Sequence, residues 1–237
     1  MIENCIYGVD IQPIASQISK LRCFISLIVD ERVDKTKDNF GVRPLPNLET
    51  KFVAANTLIG IEKPKGQLYL INDEVNRLEN QLKGVRHRLF SAKTPVFKRK
   101  LREDDKTLRE KMGDLLVDSG WENKTARQLA SWDPYDQNAS SPFFDPEWMF
   151  GITDGFDVVI GNPPYVRADS PAIADLRQLI MKSKQYITLY EKWDLMVPFF
   201  EKSMHILRNE GVNAFIASNS ITTAKFAYKL QDWIIEN

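Results

Sequence analysis

The sequence predicts an α/β fold in which a mainly helical segment interrupts a parallel sheet. Three observations predict it. Short apolar strands end on a polar residue at Asp10, Asn56 and Asn162. A strand–helix–loop–strand order opens the chain. That order returns after residue 151, once a long helical stretch has passed. Residues 1–60 and 151–237 are therefore read as the two parts of the α/β core, and 61–150 as an insertion between two of its strands.

Cys5-Ile6-Tyr7-Gly8-Val9 is the first strand, ending at Asp10. A helix follows from Pro13 to Asp30, because Ile14, Ile18, Leu21, Ile25 and Ile28 recur at helical spacing. Pro13 suits a first turn, where its missing N–H costs nothing. Pro44, Pro46 and Asn47 mark a loop, and Lys51–Ala55 reads as the second strand, ending at Asn56. In the insertion, Val75, Leu78, Leu82, Val85 and Leu89 alternate three and four apart, the pattern of a long amphipathic helix. The cations Lys83, Arg86, Arg88, Lys93, Lys98, Arg99, Lys100 and Arg102 follow with no acid among them, and a second helix covers Asp104 to Ser119. The stretch from Ser131 to Pro146 is rich in Pro, Asn, Ser and Asp and reads as a loop.

Beyond it, the strand Phe156-Asp157-Val158-Val159-Ile160 leads into Asn162, and a loop with a short helix reaches Tyr190. An amphipathic helix from Asp194 to Arg208 turns Leu195, Phe199, Met204 and Leu207 inward. Gly211 ends that helix in the C′ position. Val212–Ala217 is the next strand, and a last helix runs from Thr223 to Ile235.

Composition narrows the function. Hydrophobic residues at 43% and charged residues at 27% exclude overall disorder. The net charge is zero, so any nucleic-acid contact must come from a local patch. Two cysteines, spaced unlike a metal pair, point to a reducing compartment, and two histidines are too few for a His-built zinc site, so no metal is expected. No apolar stretch reaches membrane-spanning length and no signal peptide opens the chain, so a cytoplasmic protein is expected.

The most informative motif is Asn162-Pro163-Pro164-Tyr165, placed directly after an apolar strand. The Asn oxygen and the Pro163 carbonyl can both accept from an exocyclic NH2 group, and the prolines fix φ and hold those acceptors in place. Tyr165 can lie against the ring that carries the amine. A proline-stiffened turn alone would require neither the Asn before the prolines nor the aromatic after them. Asp10, at a strand end, suits either the two hydroxyls of a ribose or a helix N-cap. Asn56 suits either the polar edge of an adenine or a turn. The basic block from Lys83 to Arg102 is read first as a solvated helix face plus linker, with phosphate tracking as the alternative.

Four passages, in order, resemble the N6-adenine DNA methyltransferases of type IIG and related restriction–modification systems. They are Ile6–Pro13, Ala55–Gly60, Phe156–Tyr165, and Glu191-Lys192-Trp193-Asp194-Leu195 with the helix after it. The resemblance implies a Rossmann-like class I methyltransferase sheet and S-adenosylmethionine as methyl donor. Asp10 would hold the cofactor's ribose, Ile11 its adenine face and Asn56 its adenine edge. Phe199 matches an aromatic near the cofactor, with a core residue as the equal alternative. Asn162 and Pro163, stiffened by Pro164, would grip the N6 amine of an adenine flipped out of double-stranded DNA, and Tyr165 would stack on it.

The glycine-rich strand and turn that the family places first, and its later strands and recognition region, have no counterpart here. The sheet is therefore expected to be incomplete, its partners to include the missing N- and C-terminal parts, and cofactor binding by this chain alone to be weak. The same tetrapeptide could serve methylation of RNA or of a protein glutamine. A non-catalytic DNA-binding or assembly remnant is the third reading.

Overall fold

The computed structural model describes residues 2–29, 31–42, 45–63, 73–167 and 169–236. Asp30 and Pro44, expected at a helix end and in a loop, lie outside them. The fold is mixed α/β and divides into two compact units. One comprises 1–56, 61–142 and 148–151; the other comprises 57–60, 143–147 and 152–237.

The first unit opens with a single helical turn, α1 (Ile2–Cys5), before the three-residue strand β1 (Gly8–Asp10). The expected strand is thus shorter at its start, and Cys5 is helical. Helix α2 (Pro13–Val29) begins at the proline, as its fixed φ favours. Strand β2 (Phe52–Ala54) pairs with β1 in parallel, Val9 opposite Val53 and Asp10 opposite Ala54. Helix α2 packs on both strands, but not through the stripe that predicts it. Ile14, Ile18, Leu21, Ile25 and Ile28 are all exposed, while Ser16 is buried. Periodicity specifies the helix, and burial depends on which face meets a partner.

Helices α3 (Asp73–Phe90) and α4 (Pro95–Asp118) pack along each other as a hairpin. The second helix starts nine residues before its expected Asp104. Thr94 accepts a hydrogen bond from the Phe97 N–H, and Pro95 occupies the first turn, so Lys98, Arg99, Lys100 and Arg102 belong to the helix, and of the basic run only Lys93 lies in the connection. Helix α5 (Asn123–Ser131), unforeseen from the sequence, buries Ala126, Leu129 and Ala130. A Cβ on Gly113 of α4 would lie 2.7 Å from that of Ala130, so glycine permits the close approach of these helices.

Val85, Leu89, Ala92 and Leu101 form an apolar cluster in the hairpin. Beside it lies a buried charge cluster. The Asp105 carboxylate accepts from Arg86 Nε at 2.9 Å and from Arg109 Nε at 2.7 Å. Arg109 also donates to the carbonyls of Ala130 and Trp132, and Arg86 to those of Trp148 and Met149. Burial first, and the Asp105 charge second, hold the Tyr135 phenol proton well above the usual tyrosine range.

Helix α6 (Pro146–Phe150) leads into the second unit's strand β3 (Phe156–Gly161). Helix α7 (Ala174–Ser183), helix α8 (Met196–His205) and strand β4 (Leu207–Phe215) follow, then α9 (Ser220–Thr223) and α10 (Tyr228–Glu236). The single last helix expected over 223–235 is interrupted at Ala224, which is extended, and a short 3-10 turn at Lys225–Ala227 precedes α10.

Strands β3 and β4 are parallel. Leu207 and Gly211 are corrected: both lie in β4, because α8 stops at His205. The partner of Phe156 is Leu207 and that of Val158 is Val212, so β4 carries extra residues that bulge from the ladder. Glu210 takes the positive φ of this bulge, 64°. Gly211 is instead required by space, since its Cβ would sit 2.9 Å from the Arg208 carbonyl and 3.0 Å from that of Phe156.

The second unit's core joins Leu58, Ile180, Tyr186, Trp193, Leu195, Val197 and Leu230. The buried Glu201 carboxylate accepts from the N–H groups of Ile187 and Thr188 and from the Thr188 hydroxyl, tying the 183–196 connection to α8. Among the described residues, four strands form two two-stranded sheets, β1–β2 and β3–β4. No helix among the described residues is long and apolar enough to cross a membrane.

Candidate active site

The Asn-Pro-Pro-Tyr loop begins where β3 stops. Phe156, Val158, Val159 and Ile160 favour a strand, and its ladder with β4 runs as far as Gly161 opposite Phe215. Pro163 and Pro164 have no N–H to continue it, so the chain leaves the sheet. Pro163 is buried, whereas Asn162 is exposed and Tyr165 is 50% exposed.

Tyr165 folds back on the strand ends. Its hydroxyl donates to the Ile216 carbonyl at 2.6 Å and lies 3.0 Å from Asn162 Oδ1, as donor to it. One phenol proton is shared between two acceptors, and the shorter contact takes the larger share. An amide oxygen has two acceptor positions, so Asn162 keeps capacity for a further N–H. The Ile216 N–H in turn donates to the Gly161 carbonyl at 3.0 Å. Ring, amide and both strand ends are thus joined in one hydrogen-bonded set at the surface.

The loop's far end is also fixed. The Val166 carbonyl accepts from the Leu195 N–H at 2.9 Å, and Arg167 bridges to Asp194. The buried Asp194 accepts from the Met196 N–H at 2.9 Å, at the start of α8. The passage Trp193-Asp194-Leu195 therefore holds the loop as well as filling the core. Phe199 lies on α8, partly buried against that core cluster.

Beside the loop's end is an open cleft of about 550 Å³, lined by Arg167, Glu191, Lys192, Lys225 and Phe226. Lys225 pairs with Glu191 at 2.8 Å and Arg167 with Asp169 at 2.8 Å. The hydrogen bond from Lys225 holds the Glu191 carboxyl below its usual range, and the same bond raises Lys225.

In the other unit, Asp10 is the last residue of β1 and is exposed. Its Oδ1 accepts from the Gln12 N–H at 2.8 Å, which fixes the turn into α2. Its carbonyl accepts from the Ala55 N–H at 2.8 Å, so Asp10 and Asn56 sit at adjacent strand ends. Asn56 is half-buried and its N–H donates to the Ser141 carbonyl at 2.9 Å. Ile11 is 54% exposed.

The structure therefore joins Asn162 to Tyr165 within one unit and gathers Asp10, Ile11 and Asn56 within the other. Sequence reasoning missed the Ile216 carbonyl. A backbone acceptor carries no residue signature, and only the parallel β3–β4 pairing could have indicated it.

A family model described as Eco57I restriction-modification methylase matches residues 4–237. The chain is similar to the type II methyltransferase M.BstVI of Geobacillus stearothermophilus, 41% identical over 93 residues, 38% of this chain and 16% of that protein. It is also similar to the putative type II restriction enzyme and methyltransferase RM.MjaORFECS2P of Methanocaldococcus jannaschii. There the identity is 29% over 280 aligned residues, 94% of this chain and 22% of that protein. The type II restriction enzyme and methyltransferase RM.Eco57I of Escherichia coli is 26% identical over 125 residues, 53% of this chain and 11% of that protein. The chain thus spans between 11% and 22% of the length of these curated relatives. No solved structure matches it.

Proposed function

The chain belongs to the Eco57I restriction-modification methylase family, and on that premise we propose that it carries the methyl-transfer site of a cytoplasmic, Rossmann-like DNA methyltransferase. The reaction is transfer of a methyl group from S-adenosylmethionine to the N6 amine of adenine in DNA, within a restriction–modification system. One observation carries the reading: an exposed amide and an exposed phenol ring, hydrogen-bonded to each other, at the end of a parallel strand.

The residues present fit the cofactor in kind. The Asp10 carboxylate spends one oxygen on Gln12 and has acceptor positions left for a ribose diol. Ile11 offers exposed apolar surface, and Asn56 an amide at the neighbouring strand end. These three would hold S-adenosylmethionine, which supplies an electrophilic sulfonium methyl when bound. Phe199 keeps a core role in this reading.

At the other group, Asn162 Oδ1 and the Pro163 carbonyl accept from the amine of a flipped adenine, and Tyr165 stacks on its face. Accepting both N–H bonds leaves the nitrogen lone pair directed out of that grip. Positioning and aligned dipoles then supply most of the catalysis. As the nitrogen–methyl bond would form and the methyl–sulfur bond break, the nitrogen becomes acidic and gives up one proton to water, so no separate strong base is needed.

The test is transfer of tritiated methyl to duplex DNA from S-adenosylmethionine, raised to a concentration that saturates a weak site, followed by nucleoside analysis. Label in N6-methyladenine, lost in Asn162→Ala, is expected. Label confined to RNA or to protein glutamine, or no label in any acceptor, would overturn the proposal.

A further inference from the structure

The basic block divides in a way its sequence does not show. Two of its cations turn inward: Arg86 to Asp105, and Arg102 to Glu49 at 2.9 Å. Lys93, Lys98, Arg99 and Lys100 have no acidic partner among the described residues, and Arg88 reaches only the Gly84 carbonyl of its own helix. No acid occurs between residues 80 and 102, so neither arm of the α3–α4 hairpin carries one at its turn. The next acids along α4 are Glu103 and Asp104, one turn further on and neither within ion-pair distance of Arg99 or Lys100, and Glu3 pairs with His87. Glu49, on the segment packed under the turn, is already used by Arg102.

The turn is also rigidly built. The buried Asn47 amide donates to the Leu89 carbonyl at 2.7 Å and to that of Ala92 at 3.0 Å, and its own N–H donates to Phe90 at 2.9 Å. Two carbonyls at the end of α3 and one in the connection are thus satisfied by Asn47, and Thr94 caps α4 on the other side. Val96 and Phe97 stand exposed among the cations, at 78% and 42%. A net-neutral chain therefore presents one fixed, five-cation tip with apolar residues interleaved, the local charge that a polyanion backbone complements.

We propose that this hairpin tip binds the phosphate backbone of DNA, with Arg88, Lys93, Lys98, Arg99 and Lys100 as the phosphate contacts. The inference rests on DNA being the substrate, as proposed above. Each phosphate neutralised contributes about 0.9 to the slope of log affinity against log salt.

The test is fluorescence anisotropy with a labelled duplex across a KCl series, using the 237-residue chain and its K98Q/R99Q/K100Q variant. A slope shallower by roughly 2–3 is expected for the variant, with its helical circular dichroism unchanged. Lys106→Gln, on the same helix but paired with Glu110, keeps the parent slope. Asn162→Ala keeps it too while losing methyl transfer. Equal slopes for parent and triple variant overturn the inference and leave the methylation reading standing. A parent protein that neither binds nor methylates duplex DNA overturns both.

Discussion

Tyr165 and Asn162 are joined through the phenol, which lies 3.0 Å from the amide oxygen while donating to the Ile216 carbonyl at 2.6 Å. The ring proposed to stack on the base therefore also orients the group proposed to accept from its amine.

Tyr165→Phe keeps the ring and removes both hydrogen bonds. A neutral hydrogen bond is worth about 0.5–1.5 kcal/mol, so the methyl-transfer kcat should fall by roughly 2–12-fold with little change in DNA affinity. Tyr165→Ala also loses stacking, worth about 1–3 kcal/mol per base, and should weaken DNA binding as well. Equal kinetics for the parent and Tyr165→Phe would remove the orienting role.

Asn162→Ala removes one of two acceptors from the reacting amine. Loss of one preorganised partner of developing charge typically costs about 10²–10³ in kcat. Duplex affinity and thermal midpoint should hold, because the side chain is exposed and spans no core contact.

Asp10 separates its two roles by substitution. Asp10→Asn retains Oδ1 for the Gln12 N–H and leaves the fold intact, but it replaces a charged acceptor by a donor toward a ribose diol. The KM for S-adenosylmethionine should rise by roughly tenfold, the range of a charge-assisted hydrogen bond. A change in thermal midpoint without a change in KM would assign Asp10 to the turn alone.

Asp105→Ala strands the guanidiniums of Arg86 and Arg109, of which Arg109 is 4% exposed. Removing one partner of a buried ion pair costs about 3–5 kcal/mol. The urea midpoint should drop accordingly, with the α4–α5 contacts opening first in hydrogen exchange.

His205 is exposed, but partial desolvation of its ring lowers its pKa, against the Glu201 charge that raises it and with Lys202 lowering it further; the ring meets Trp233 edge to face at 5.5 Å. The unfolded imidazole takes up its proton first as pH falls, so this residue withdraws stability below about pH 6.5. His205→Gln should flatten the stability profile between about pH 5 and 7. An unchanged slope in urea titrations across that range would exclude His205 as its source.

Much of this molecule is written locally. The existence and ends of the strands at Asp10, Asn56 and Asn162, the alternation of strand and helix, the presence of the long helices and the Asn-Pro-Pro-Tyr loop after β3 follow from residue periods of 2 and 3.6, from prolines and from strand-end polar residues. Those signals act through backbone dihedrals, which neighbouring residues set.

What the tertiary structure alone decided is which face, which partner and which register. The Ile14–Ile28 stripe of α2 specifies a helix whichever side it shows, and packing on β1 and β2 used the other side. Arg86 and Arg102 are indistinguishable in sequence from Arg99, and only Asp105 and Glu49, brought from other segments, draw them inward. The bulge in β4 hid a strand start behind an apparent helix end, and the anchor for Tyr165 is a carbonyl that every residue possesses. Burial and hydrogen-bond pairing depend on segments distant in the chain, so no local pattern could record them.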